Sequence, residues 1–401
     1  MINRRAKTLA AAALWLVSCQ ASGTGPVTLV PPSCADPNEL ALPRLSRNVH
    51  TGTDTLAGKT TTLDGVEWAT GAEVQAFFGT KNIKVVFTIH PDMYLLTYET
   101  GEAHLTLISH GDESTAGMQG AINSPLFSPD GKLIVYAGGG LGKPAFIQQA
   151  VAGEGPALRV VLDPKAHPTA DPHWYVKGDS TFVYFSTLAG LVNYSADCNQ
   201  ISGATYRVPV LDDKTVGPIG VSGIPGSYRG GISKDGNWIG TSYAQSAIYD
   251  RANDKIHLIG DDEQQCNPSM NPYPIGSAHM DYMMILAFGG VDYHTIDGSK
   301  AFEGLHENLW IYNKDNKIVW QGKRPDEKAY TRYDKPEWST HPNYATAIAL
   351  QCETCGGDLF AVKIGDLANA EEGKVNQAQG YLRIGKGHFN SESFSHLWVG
   401  Q

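Results

Sequence analysis

The sequence predicts an all-β fold: a β-propeller of seven four-stranded blades, with six or eight as the alternatives, whose last blade is closed by N- and C-terminal strands. Three observations predict it. At a spacing of about fifty residues the chain repeats a phrase: an aromatic or apolar residue, Ser, a turn containing Asp-Gly, then a β-rich run. The best copies are Phe127-Ser-Pro-Asp-Gly-Lys-Leu-Ile-Val-Tyr136 and Ile232-Ser-Lys-Asp-Gly-Asn-Trp-Ile-Gly240, and Asp-Gly is a hairpin signal because the turn needs positive φ. Behind each hairpin come two further strand-like runs, and four strands at this period mean a propeller blade. Finally, Phe389 to Val399 holds strands for only half a blade, which residues around Thr51 to Leu63 can complete so that no edge is left open.

Taken in order, residues 1–18 read as a secretory signal: Arg4, Arg5 and Lys7 precede an apolar run, Leu9 to Val17, too short to span a bilayer. Leu16-Val17-Ser18-Cys19 resembles the lipobox of bacterial lipoproteins, which implies acylation of Cys19 as the first mature residue. Gln20 follows in place of Asp, and by the sorting of Gram-negative lipoproteins this implies the outer membrane, on its periplasmic or cell-surface face. Residues 19–50, with Pro26, Pro31, Pro32, Pro37 and Pro43, read as a tether. Residues 51–401 read as the propeller.

Within it, Val66 to Ile108 is a weak copy of the repeat. The Phe127 copy continues through Ala145 to Gln149 and Leu158 to Leu162. His173 to Phe185 lengthens the turn and is followed by Leu191 to Tyr194 and Tyr206 to Val210. The Ile232 copy runs on through Ser246 to Tyr249 and Lys255 to Ile259. Asn267-Pro-Ser-Met270 returns through Met283 to Phe288; an insertion, 289–305, then precedes Asn308 to Tyr312 and Lys317 to Trp320. Trp338 to Ala349 replaces Asp-Gly by His-Pro and leads to Asp358 to Val362 and Tyr381 to Ile384. Five good copies, one weak and one composite make the expected seven.

Composition agrees. Glycine (44) and proline (22) are plentiful, charged residues make up 18%, and no segment sustains an apolar helical period. A formal net charge of -10 argues against nucleic acid, whose phosphates need a basic face, and mildly against polyanionic glycans. With no second apolar run of spanning length, membrane attachment is expected through lipid alone.

Beyond Cys19 the cysteines are Cys34, Cys198, Cys266, Cys352 and Cys355, an odd count that leaves one thiol free. Cys352-Glu-Thr-Cys355 could be a redox pair, half of a zinc site or a local disulfide. No second CxxC or His pair supplies the other zinc ligands, and the pair is followed by Gly356-Gly357 and a strand-like run rather than opening a helix. A structural disulfide is the favoured reading.

The Ser-x-Asp-Gly repeats resemble those of TolB-type, WD40-like propellers over roughly residues 120 to 260. A narrower resemblance, to Fibrobacter-type paralogous lipoproteins, rests on Arg229-Gly-Gly-Ile-Ser-Lys-Asp-Gly236, Gln265-Cys-Asn-Pro-Ser269, Met283-Met284, His306-Glu307 and Pro336-Glu-Trp-Ser-Thr-His-Pro342. It implies no reaction. The TolB-like register implies that residues just before each aromatic-Ser enter the central channel, which collects Asn123, His173, Arg229, Asn267 and Glu337 as a polar funnel. The same register puts His341 in a turn on the opposite face.

Two functions of different class remain. The first is a non-catalytic module, monomeric and lipid-anchored, binding a glycan or protein partner through the funnel and the 289–305 insertion, with Trp174, Trp238 or Trp338 either stacking on sugars or filling the core between blades. The second is a polysaccharide lyase acting on uronates by β-elimination, with Arg229 neutralising the carboxylate, His173 or His306 as base and Tyr228 as acid. Gly138 to Lys143 fails as a phosphate loop, since Pro144 stands where Ser or Thr is needed. No HExxH or calcium-loop motif is present, so neither metal nor cofactor is expected.

Overall fold

The computed structural model describes residues 59–109, 122–137, 145–150, 158–160, 169–187, 194–195, 200–201, 205–211, 216–217, 220–221, 224, 227–243, 245–260, 265–272, 281–287, 292–294, 298, 300–302, 306–352, 355–367 and 373–400. Six antiparallel-built sheets of four or five strands form the blades of a propeller. Blade one runs outward from Ser395–Val399 through Ile83–Ile89, Asp92–Thr97 and His104–Ser109 to Lys59–Thr60. Blade two is Asn123–Phe127, Leu133–Ala137, Ala145–Gln149 and Leu158–Val160. Blade three is Thr169–Lys177, Ser180–Thr187, Thr205–Val210 and Gly220–Val221. Blade four is Ser227–Ile232, Trp238–Tyr243, Gln245–Asp250 and Lys255–Leu258. Blade five is Gln265–Met270, Met283–Ala287, Asn308–Tyr312 and Ile318–Lys323, with Asn376–Gln377 added in parallel at its outer edge. Blade six is Arg332–Trp338, Tyr344–Leu350, Gly357–Lys363 and Gly380–Phe389, edged by Glu67–Trp68.

The expected seven blades are therefore six. The weak copy and the composite one are a single sheet: the C-terminal strand Ser395–Val399 pairs with Ile83–Ile89 as its innermost strand, and Lys59–Thr60 supplies its outermost. The closure by N- and C-terminal strands is as expected, but it completes the weak blade instead of making another. In blade three, Tyr194–Ser195 pairs with Gln200–Ile201 in a hairpin of its own, so Thr205–Val210 is the third strand and Gly220–Val221 the fourth. The insertion after blade five's second strand holds a short hairpin, Asp292–His294 with Lys300–Phe302.

The recurring turn has a physical basis. In blade two the Ser128 hydroxyl donates to Asp130 (2.6 Å) and accepts from the Leu133 amide (2.9 Å), while Asp130 accepts from the Lys132 amide (3.1 Å). Blade four repeats the set with Ser233, Asp235, Asn237 and Trp238. Side chains thus satisfy the amides of the turn, and Gly131 and Gly236 supply φ of 68° and 77°.

Both faces of each blade are buried, so alternate residues serve opposite neighbours. In blade five, Met283 and Ile285 pack toward Ile248 of blade four, whereas Met284 and Leu286 pack toward Tyr333 and Trp338 of blade six. Six such interblade cores close the ring. Trp174 and Trp338 are buried in two of them and Trp238 packs on a third, so these indoles belong to the core. The helix Gly71–Phe78, capped by a reciprocal Thr70–Glu73 box, lays Val74 and Phe78 on the core between blades six and one. At eight residues it is too short to show a helical period in the sequence.

A candidate binding site on the propeller axis

The inner strands do not run straight through the centre. Register breaks between Asn123 and Leu126, Ala170 and His173, Tyr228 and Ile232, Cys266 and Ser269, and Asp334 and Glu337. Four of these breaks hold a proline, at Pro125, Pro172, Pro268 and Pro336, and the fifth holds Gly230-Gly231. Proline has no amide to give the ladder, and a bulge is one of the few places where a sheet accepts it. Ser124 and Lys335, each directly before a proline, adopt φ of 48° and 42°, which stores backbone strain at the axis. At Gly230 (φ 83°) a Cβ would stand 2.4 Å from the Pro268 carbonyl oxygen, so only glycine lets the two strands approach.

These bulges wall a cavity of about 70 Å³ on the axis, to which all six inner strands contribute. Polar groups on its wall come from Ser124, His173, Lys335, Glu337 and Ser395; Pro125, Pro268, Pro336 and Phe394 supply apolar surface. Leu126, His173 and Glu337 also line a second cavity of about 60 Å³, which continues toward the turn side past His396 and Trp338. Each space has room for a handful of water-sized groups.

Several polar groups around the axis are engaged in tying strands together. The Ser269 hydroxyl donates to Glu337 Oε1 (2.6 Å) and accepts from the Trp338 amide (2.9 Å), joining blade five to blade six. His396 Nδ1 accepts from the Phe127 amide (3.0 Å), joining blade one to blade two. Burial, with the neighbouring His173 adding to it and a backbone bond at Trp338 opposing it, lowers the His396 pKa to about 3. Lys335 lies 3.7 Å from Asp334 and 5.2 Å from the centre of the Phe394 ring, and Arg332 reaches the same carboxylate at 3.6 Å.

Of the expected funnel residues, His173 and Glu337 line the cavity. The strand positions of Asn123, Arg229 and Asn267 adjoin lining residues, but their side chains, and that of Tyr228, lie outside the described residues. His306 is elsewhere: 1% exposed, with a backbone carbonyl that accepts from the Tyr333 amide and a pKa lowered to about 4, chiefly by burial. A base so enclosed does not meet a polymer. His341 sits in the blade-six turn, where its Nδ1 accepts from the Asn343 amide. The Cys352 and Cys355 sulfurs stand at bonding distance, 2.04 Å. Cys19, Cys34 and Cys198 lie outside the described residues, as does the Cys266 side chain. Among the described residues, no three His, Cys, Asp or Glu side chains gather as a metal site. Lys335, Ser269, Ser395 and His396 are additions to the expected set; the residue-proline pair that recurs in four of the inner strands is the sequence signal that marks the level of Lys335 and Ser269, and the strand of Ser395 and His396 lacks it.

No protein-family model matches the sequence, and no curated protein does. Solved structures match the chain at low identity. TolB from Acinetobacter baumannii matches at 14% identity and a TM-score of 0.46, covering 82% of this chain and 70% of that one. Kuenenia stuttgartiensis hydrazine synthase matches at 10% identity and 0.43, over 78% and 47%. Dihydro-heme d1 dehydrogenase NirN matches at 11% and 0.39, over 77% and 74%. Such likenesses carry nothing about activity, and the propeller assignment rests on the strand pairing of this chain.

Proposed function

We propose that this protein is a lipid-anchored propeller that binds a glycan or protein partner without catalysis, using the axial cavity and the surface around it. The observation that carries the reading is how the axial polar groups are used. Ser269 and His396 spend their hydrogen-bonding capacity on neighbouring strands, and Glu337 accepts from Ser269. Such groups rigidify a receptor; an acid or base needs a site within reach of the reacting proton. The lyase reading loses one of its bases to the burial of His306. The small cavity, well below the few hundred Å³ of an ordinary ligand pocket, admits an end group and no chain. Anchoring through Cys19 and display at the outer membrane are supported by the lipobox-like Leu16-Val17-Ser18-Cys19 and the proline-bearing segment behind it. The resemblance to Fibrobacter-type lipoproteins points the same way.

The test is to purify the full chain in detergent and mix it with acidic and neutral polysaccharides, following absorbance for unsaturated uronide and retention in the insoluble fractions. Retention at flat absorbance is the expected result for a glycan partner; retention of none directs the search to a protein. A steady absorbance rise, abolished by Arg229→Ala, would establish the lyase and end the non-catalytic reading.

A further inference from the structure

We propose that the axial cavity is a receptor for the carboxylate end of a small organic acid. This inference deepens the binding reading above and rests on it. Its first support is a buried group without a protein partner. Ser395, 3% exposed, lines the cavity, and its hydroxyl is enclosed yet makes no hydrogen bond within the protein. Its backbone is held in place, since the Ser395 carbonyl accepts from the Thr346 hydroxyl at 3.0 Å. A buried hydroxyl in a fixed strand that finds no partner is the exception in native proteins and asks for an explanation, which a bound molecule beside it would supply.

The second support is the chemistry of the wall. Residues able to donate outnumber acceptors on it: Lys335, Ser124, Ser395 and His173 line the cavity beside one carboxylate residue, Glu337, whose Oε1 accepts from Ser269. The other nearby carboxylate, Asp334, is fully buried and lies beside both Arg332 and Lys335. Ionised acceptors make the strongest hydrogen bonds to such donors. Third, Pro125, Pro268 and Phe394 offer apolar surface to the carbon that carries the carboxylate, and the volume limits entry to that end group. The strained backbone at Ser124 and Lys335 lies on the same wall, where strain held by the surrounding fold serves to position groups for a ligand.

The experiment titrates the full chain with acetate and with glucuronate, using acetamide and glucose as uncharged counterparts, at constant ionic strength and pH 7, and reads affinity by calorimetry and the thermal midpoint. Expected are saturable heats and a rising midpoint with both acids and with neither uncharged probe. Ser395→Ala weakens binding about tenfold and Lys335→Met about a hundredfold, the loss of one and of two steps of 1.4 kcal/mol. Should Lys335→Met not fold, Ser395→Ala, which removes a single buried atom, still decides. No saturable response from the folded wild type, equal response to acetamide, or unchanged affinity in Ser395→Ala overturns the proposal. Carboxylate binding without any retained glycan or protein would leave this inference standing and remove the wider reading. Retention of a partner with no carboxylate response would do the reverse.

Discussion

Acid should loosen this ring at a residue that can be named. His396 sits on the strand that closes the propeller, buried, with its pKa lowered from 6.5 to about 3, and it accepts a hydrogen bond from the Phe127 amide. In the unfolded chain the same imidazole takes up a proton near its ordinary pKa, so between those values the unfolded state binds more protons. Stability from this group is full above about pH 6.5 and is lost as pH falls toward 3. At pH 5 the loss is about 1.5 units of pH, or ~2 kcal/mol, against a typical total of about 5 to 15. His396→Asn keeps a side-chain oxygen close to where Nδ1 accepts and removes the titration. Urea midpoints at pH 7 and pH 5, converted with a common slope, should therefore show wild type losing about 2 kcal/mol more than the Asn variant on acidification. His306, lowered to about 4, and the carboxylates contribute equally to both proteins and cancel. His396→Ala, which leaves the Phe127 amide unsatisfied, should cost about 1 to 3 kcal/mol already at pH 7. Equal acid loss in wild type and the Asn variant would refute the assignment of this sensitivity to His396.

Two further perturbations test the packing around the axis and the turns. Asp334 is wholly buried beside Arg332 and Lys335, so Asp334→Asn strands buried cations and should cost about 3 to 5 kcal/mol in denaturant unfolding; a cost under 1 would show that the cations are held otherwise. Gly131 combines φ of 68° with a would-be Cβ 2.4 Å from the Trp398 ring, whereas Gly178, at φ 56°, has nothing within 4 Å. Gly131→Ala should cost about 2 to 5 kcal/mol from backbone and overpacking together, and Gly178→Ala only the backbone part, about 1 to 2. Equal losses in the two would mean that Trp398 moves aside freely.

What was legible in the chain was local chemistry. Ser-Pro-Asp-Gly and Ser-Lys-Asp-Gly declare their turns because the hydroxyl, the carboxylate and the glycine each answer one need of a tight hairpin. What was not legible was pairing across the whole length. Val66 to Ile108 and Phe389 to Val399 look like two imperfect blades, and only the register of Ser395–Val399 against Ile83–Ile89 reveals one. Gly220–Val221, two residues long, carries no pattern at all, whereas Leu191 to Tyr194 reads as a strand of the third blade that the pairing does not contain. At the site, His173 and Glu337 fell to a simple count back from the aromatic-Ser phrase. Lys335 escaped because a bulge adds a residue to one strand and breaks the two-residue alternation on which such counting depends. Ser395 and His396 escaped for the same reason that the blade count did: their strand reads as the end of the chain and acts as the beginning of the ring.

That last point links architecture to binding. The strand that closes the propeller carries both His396, which ties blade one to blade two, and Ser395, which walls the cavity. Its other anchors are spread over three neighbours: Thr88 exchanges hydrogen bonds with Phe394, Thr346 donates to the Ser395 carbonyl, and Thr340 donates its amide to Leu397 and accepts from Val399. A cavity built partly from this strand exists only when the ring is shut, because without it two of the lining residues, Phe394 and Ser395, are absent from the axis. Any ligand seated there binds the closed ring better than an open one, and by linkage it must stabilise the closure in proportion to its concentration. The stability of the C-terminal strand and the affinity of the axial cavity are accordingly one coupled quantity, and a substitution at Thr346 or Thr88, neither of which lines the cavity, should weaken both together.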